Sequence, residues 1–231
     1  MDQKPVIIYC YDAYCGWCFG FSKVIRRLFE EYKEVFDFEV LSGGMIPKES
    51  AQPIGIMASY IKEGYKRVEE LSGVKFGEDY LWHINNPDRS DLFPHSETPA
   101  VALAIFRDYH PHDTILFATD LQDALHVEGR DLTDGEAYRH LLEKYDIPAD
   151  AFYERLNSDE YLDRARHDFA TSDTDPSGFE RLEEVAERTL PQRRPLSDRF
   201  PVARLKRAWR CMAEDRDART HSQYSVLADI A

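Results

Sequence analysis

Cys15 and Cys18, separated by Gly16-Trp17, are the side chains whose types and spacing carry chemistry most directly. They follow an apolar run, Val6-Ile7-Ile8-Tyr9-Cys10, and a short turn, Tyr11-Asp12-Ala13-Tyr14. A helical pattern opens immediately after them. A C-x-x-C at a strand-to-helix junction reads as a dithiol redox site. The first turn of a helix carries partial positive charge and unpaired N–H groups, so it stabilises a thiolate, the form of cysteine that attacks a disulfide. Two intervening residues let the second sulfur reach back, close a small ring and release a substrate from a mixed disulfide. The placement predicts a Cys15 pKa below the free value of about 8.5. Asp12 is the nearest ionised residue in sequence and opposes the thiolate, and Lys23 lies far along the helix. Helix amides are therefore expected to carry most of the stabilisation. The competing reading of the pair is half of a zinc site, which needs two further Cys or His ligands at matched spacing. There is no second C-x-x-C, and His83 or His95 would have to come from distant loops.

The elements that must position the pair follow from hydrophobic periodicity. Residues 4 to 11 read as a nearly continuous apolar strand, as expected for a central strand covered on both faces. From Cys18 to about Val35, Phe21, Val24, Ile25, Leu28, Phe29 and Tyr32 recur at helical spacing. Asp37-Phe38-Glu39-Val40-Leu41 alternates with period two and stops at Ser42-Gly43-Gly44. Strand, helix and strand in this order predict a βαβ unit with parallel strands. Helical patterns then follow over Ile54–Leu71, from Thr98-Pro99 to Tyr109 and from Pro111 through Leu125. Others run from a capping-box start at Thr133 to Tyr145, from Pro148, and from Ser158 to Ala170. The stretch from Asn85 to Ser96 reads as loop.

The chain has 231 residues, 43% apolar and 31% charged, enough to bury a sizeable core. Its formal net charge of −14 argues against nucleic acid and anionic membrane surfaces as partners. No apolar run approaches the roughly 20 residues of a membrane span. The start, Met1-Asp2-Gln3-Lys4-Pro5, lacks the features of a secretory signal, so a cytoplasmic location is expected. Four cysteines, Cys10, Cys15, Cys18 and Cys211, are too few and too uneven for a disulfide framework. Cys10 reads as a buried small apolar residue. Nothing in the pattern calls for an organic cofactor or a metal, and the oligomeric state is not set by the sequence.

To about residue 170 the chain resembles the DsbA-like branch of the thioredoxin superfamily, nearest its FrnE-type and disulfide-isomerase-like members. The resemblance rests on Val6 through Gly20 with Asp12 before the cysteines and Phe19-Gly20 after them, on Leu41-Ser42-Gly43-Gly44-Met45, and on Ser96-Glu97-Thr98-Pro99-Ala100. It implies an α/β thioredoxin-like fold with a helical domain inserted after the first βαβ unit. Residues 1–47 would form the N-terminal half of the thioredoxin-like domain and residues 48–170 the insertion. It implies thiol–disulfide exchange on protein or small-thiol disulfides, with Cys15 as exposed nucleophile and Cys18 as buried resolving thiol. Residues 171–231 depart from the family. Where such proteins carry a proline facing the dithiol, this chain reads Ser177-Gly178-Phe179-Glu180, and Pro191 and Pro201 are candidates on residue type alone. That segment holds 11 acidic and 11 basic residues, ten of them arginine, while residues 1–170 hold 32 acidic and 18 basic. A change of reading frame near residue 172 would produce such a tail; a divergent helical tail, with a helix over Glu180–Leu190, is the rival.

Two other functions stay open on the sequence: a degenerate thioredoxin-like protein that binds without turnover, and a glutathione-using kappa-type transferase or isomerase. Members of the latter normally carry a serine-containing site in place of the two cysteines. Trp17 and Phe19 read either as an apolar lip for substrate or as cover and core. His83, His95 and His126 read as structural histidines more readily than as acid–base partners.

Overall fold

The computed structural model describes residues 4–174. Pro191, Pro201, Cys211, the Ser177-Gly178-Phe179-Glu180 segment and the expected Glu180–Leu190 helix lie outside the described residues.

The βαβ unit forms as its periodicity requires. Strand β1 spans Val6–Tyr11, helix α1 spans Gly16–Tyr32 and strand β2 spans Asp37–Ser42. The strands pair in parallel, with Val6 opposite Asp37 and Tyr11 opposite Ser42. Helix α1 buries Phe19, Ile25 and Phe29, while Lys23, Arg27 and Glu30 face outward. β1 departs from the expected strand covered on both faces. Ile7, Tyr9 and Tyr11 are buried, whereas Val6 and Ile8 on the opposite face are 49% and 42% exposed. Among the described residues β1 has β2 as its only strand partner, so one face of this small sheet carries the packing.

Seven helices follow: α2 (Ala58–Ser72), α3 (Glu78–Asn85), α4 (Glu97–Tyr109), α5 (Thr114–His126), α6 (Arg139–Lys144), α7 (Ala149–Leu156) and α8 (Asp159–Thr174). α4 is the centre. Its run from Pro99 to Phe106 is buried throughout, as expected of a helix apolar on all sides. Phe106 stacks on Phe117 of α5 at 4.2 Å between ring centroids. α5 in turn packs on α1 and β2, and α8 packs on α4 and β2. α2 lies against α1 so closely that a Cβ on Gly20 would stand 2.9 Å from a Val68 methyl. The bidentate-type pairing of Arg107 on α4 with Asp168 on α8, reinforced by Arg107 donating to the Val40 carbonyl, ties both helices to β2.

Several element limits differ from the periodic reading, for local reasons. Pro53 and Gly55 hold 54–56 in a single 3₁₀ turn, so α2 starts at Ala58 rather than Ile54. α5 begins at Thr114, with Asp113 rather than Pro111 before it. The expected helix from Thr133 divides into a 3₁₀ turn, Gly135–Tyr138, and α6. Thr133 spends both its N–H and its hydroxyl on Asp131, leaving Asp134 to cap that turn. α8 runs four residues past Ala170.

Candidate functional site

Cys15 is the N-cap of α1. Its backbone is extended (φ −77°, ψ 109°), and its sulfur accepts the Cys18 N–H at 3.3 Å. This is the position a serine or aspartate oxygen usually holds, and an acceptor there satisfies one of the four orphan N–H groups of a helix start. A negative charge on that sulfur is therefore stabilised by the fold itself.

The environments of the two sulfurs push their proton affinities apart. The Cys15 thiol is lowered, first by the Cys18 thiol donating to its sulfur; burial raises it, the N–H groups of Cys18 and Trp17 lower it, and Asp12 raises it. The Cys18 thiol is raised well above its usual value, first because it is the donor to Cys15, then by burial and by the neighbouring sulfur. The expected direction for Cys15 agrees with this. Beside the helix amides of Cys18 and Trp17, which were expected, the thiol of Cys18 is the largest single contribution. Lys23 contributes nothing here; its ammonium points to the Gly73 carbonyl.

The resemblance implies an exposed Cys15, and the structure differs. Cys15 is 8% exposed and Cys18 4%; both belong to the main core cluster, against which Tyr14, Trp17 and Met45 pack. Trp17 is half-buried, and Phe19 is core, edge-on to Phe76 and 4.9 Å from the His126 ring. Among the described residues no disulfide joins Cys10, Cys15 or Cys18. Cys10 is half-buried on β1 rather than fully inside.

The three stretches that carry the resemblance meet at one side chain, Asp12, which is 2% exposed. One carboxylate oxygen accepts the Tyr14 N–H at 2.9 Å and the other the Met45 N–H at 2.9 Å. The Gly44 N–H and the Ser96 hydroxyl also donate to it. Around this centre the Gly43 N–H donates to the Tyr11 carbonyl, the Ile46 N–H donates to the Ser96 hydroxyl oxygen, and the Ser96 N–H donates to the Ile46 carbonyl. Gly44 can turn there because it has a left-handed conformation (φ +66°), and a Cβ on it would stand 2.7 Å from the Phe169 ring. The Asp12 carboxyl is raised on balance, first by burial, and these donors pull it only part of the way back. The sequence placed Asp12 as part of the motif before the cysteines and as an unhelpful charge; a short polar residue at a strand end, two glycines after the partner strand and a serine before a helix were the signals of its further role.

The histidines take structural places. His83 Nδ1 is 2.9 Å from the Ser90 hydroxyl, bracing the loop after α3. His95 is buried beside Ser96, with burial lowering its pKa. His126 is enclosed by Phe19, Phe76 and Tyr80, and burial pushes its pKa down to about 3. An open cavity of about 510 Å³ beside α1 is lined by Phe19, Ser22, Lys23, Arg26 and Asp120 but by neither cysteine of the pair. Among the described residues no group of three or more His, Cys, Asp or Glu is arranged to hold a metal ion, and no helix is long and apolar enough to cross a membrane.

A dithiol set at the junction of a parallel strand and a helix, in front of a helical array, defines the class: a DsbA-like thioredoxin fold. Solved structures share it. A protein from Nitrosomonas europaea provisionally assigned as a protein disulfide isomerase is similar at a TM-score of 0.61 and 22% identity, over 74% of this chain and 79% of that one. The cytosolic disulfide reductase DsbM from Pseudomonas aeruginosa is similar at a TM-score of 0.57 and 24% identity, over 73% and 77% of the two chains. Its structure with GSH gives 0.56 at the same identity. A 2-hydroxychromene-2-carboxylate isomerase reaches 0.52 at 11% identity, over 72% of this chain and 78% of that one. No family model matches the sequence, and no curated protein matches it. At these identities the likeness establishes the fold.

Proposed function

We propose that this chain is a thiol–disulfide oxidoreductase or isomerase, with Cys15 as nucleophile and Cys18 as resolving thiol. The observation that carries this reading is the division of labour between the two sulfurs. One is a helix N-cap held as an acceptor by its neighbour's thiol and amide, and the other is kept protonated by the same hydrogen bond. Pairs of titratable groups pushed apart in this way are a mark of a working site.

In the reductive direction the Cys15 thiolate attacks one sulfur of a substrate disulfide. A Cys15–substrate S–S bond forms, the substrate S–S bond breaks, and the departing sulfur takes a proton. Cys18 then loses its proton to solvent and attacks the Cys15 sulfur. The Cys15–Cys18 disulfide forms, and the second substrate sulfur leaves and is protonated. Two electrons pass from the dithiol to the substrate, and two molecules of a small thiol restore the dithiol, themselves becoming a disulfide. The oxidative direction is the reverse. Protein disulfides and small thiols are the proposed partners and a cytoplasmic site the proposed location; the similarity to the cytosolic disulfide reductase DsbM, alone and with GSH, supports both. Residues 1–47 as the thioredoxin-like half and 48–170 as its helical insertion remain the proposed division of the chain.

The near-complete burial of both sulfurs favours one alternative, a thioredoxin-like protein that holds a partner without turnover. Insulin reduction by the full chain, driven by a small thiol, separates the two. The oxidoreductase reading expects turnover above the thiol alone and its loss in Cys15→Ser; equal rates for the parent and the variant overturn it.

A further inference from the structure

Asp12 carries more structure than a turn residue needs. Its main-chain carbonyl accepts the Cys15 N–H at 3.1 Å, and its carboxylate closes the turn through Tyr14 and gathers Gly44, Met45 and Ser96. Every neighbour in this set is a donor, an arrangement that favours the ionised carboxylate against the burial that raises it. No lysine or arginine pairs with it among the described residues. A carboxylate without a cationic partner thus stands one turn upstream of the dithiol, where its charge raises the proton affinity of Cys15; at Cys18 the same charge opposes a hydrogen bond from the Asp12 backbone that lowers it.

We propose that Asp12 is the positioning residue of the dithiol and biases it toward giving up its electron pair. It pins the Cys15 turn to the loop after β2 and to the start of α4, and its charge disfavours anionic sulfur relative to the uncharged disulfide. A thiolate made less stable makes the reduced form less stable, so Asp12 shifts the pair toward the disulfide relative to a neutral residue at the same place and makes it a readier electron donor to a substrate disulfide. Low-molecular-weight thiols supply the electrons that restore the dithiol. This rests on the oxidoreductase reading given above and adds to it a residue that biases the direction of flow.

The test is the equilibrium constant between the Cys15–Cys18 pair and a reduced/oxidised glutathione buffer near neutral pH, measured on the full chain and on two variants. Asp12→Asn removes the charge and keeps the size; its equilibrium is expected to move about tenfold toward the dithiol, roughly 30 mV for a two-electron couple. Ser96→Ala keeps the charge and removes a donor that spreads it; its equilibrium is expected to move about threefold toward the disulfide. A residue that only held the turn together would move both variants the same way, since both lose hydrogen bonds. Shifts of the same sign, or an unchanged equilibrium in a folded Asp12→Asn, overturn the inference while leaving the oxidoreductase reading in place. If Asp12→Asn does not fold, Ser96→Ala decides alone: a move toward the disulfide supports the inference, and none overturns it. Absence of any Cys15–Cys18 disulfide in the parent overturns the underlying reading as well.

Discussion

Replacing Gly44 by alanine tests how tightly the loop after β2 is fitted to the dithiol turn. The loop runs from β2 directly under Asp12, with Gly44 and Met45 both donating to that carboxylate. Two costs add. The left-handed backbone at φ +66° disfavours any side chain by about 1 kcal/mol. The new Cβ would also stand 2.7, 2.9 and 3.0 Å from three atoms of the Phe169 ring, closer than carbon atoms pack, and overpacking of this kind costs about 1–3 kcal/mol. The sum, about 2–4 kcal/mol, is a large fraction of the roughly 5–15 kcal/mol that holds a protein folded. For a chain of this size it corresponds to a melting temperature lower by roughly 10 °C. The assay is thermal unfolding of the full chain followed by circular dichroism, with urea unfolding as a check. Phe169→Ala in the same chain removes the clash but not the backbone strain, so the double variant should be less destabilised than the two single changes added together. Gly44→Ala within about 0.5 kcal/mol of the parent would refute the reasoning.

The remaining outcomes follow from groups around the same core. Cys18→Ala should leave Cys15 with a higher pKa than Cys18→Ser, because serine keeps a donor to the Cys15 sulfur and alanine does not. Thiolate absorbance against pH reads this, and the reverse order contradicts it. His126, held down to about 3 in the fold against 6.5 when unfolded, takes up its proton on unfolding between those values. Stability from this group is therefore complete above about pH 6.5 and is lost as pH falls toward 3, at about 1.4 kcal/mol per pH unit. Urea unfolding of His126→Leu should show a flatter acid limb, and an identical slope contradicts the assignment. Arg107→Ala leaves Asp168 buried without its cation and the Val40 carbonyl without a donor, at an expected cost of about 3 kcal/mol by urea unfolding. A loss below about 1 kcal/mol would show that the tie between α4, α8 and β2 is not needed.

The strands, the first helix and the placement of Cys15-Gly16-Trp17-Cys18 were legible because their periods are short, clean and bounded by turn residues. The βαβ unit buries Tyr9, Ile25, Phe29 and Val40 in one cluster and Ile7 in a second one with Tyr32 and Phe36. α3 was missed because eight residues give barely two turns, and Gly77 before it offers no capping side chain. The capping box at Thr133 misled because Asp131 competes for the same threonine, a tertiary detail no periodicity reports. The contribution of the Cys18 thiol to the low Cys15 pKa went unread for a related reason. Helix geometry is visible in sequence, but whether the Cys18 thiol turns toward Cys15 depends on the packing that buries both. Asp12, Gly44 and Ser96 were each noticed in separate motifs, and only folding shows that they share one carboxylate. The open face of β1 contradicts a reading made from apolar content alone, which cannot say how many neighbours a strand has.

The most direct measurement is a redox titration of the full chain in glutathione buffers of graded ratio, quenched with acid, alkylated and mapped by peptide mass. A single two-electron transition is expected, joining Cys15 to Cys18 and leaving Cys10 alkylated throughout. No transition across the range, or a bond formed by Cys10 in place of either partner, would contradict a dithiol built at the start of α1.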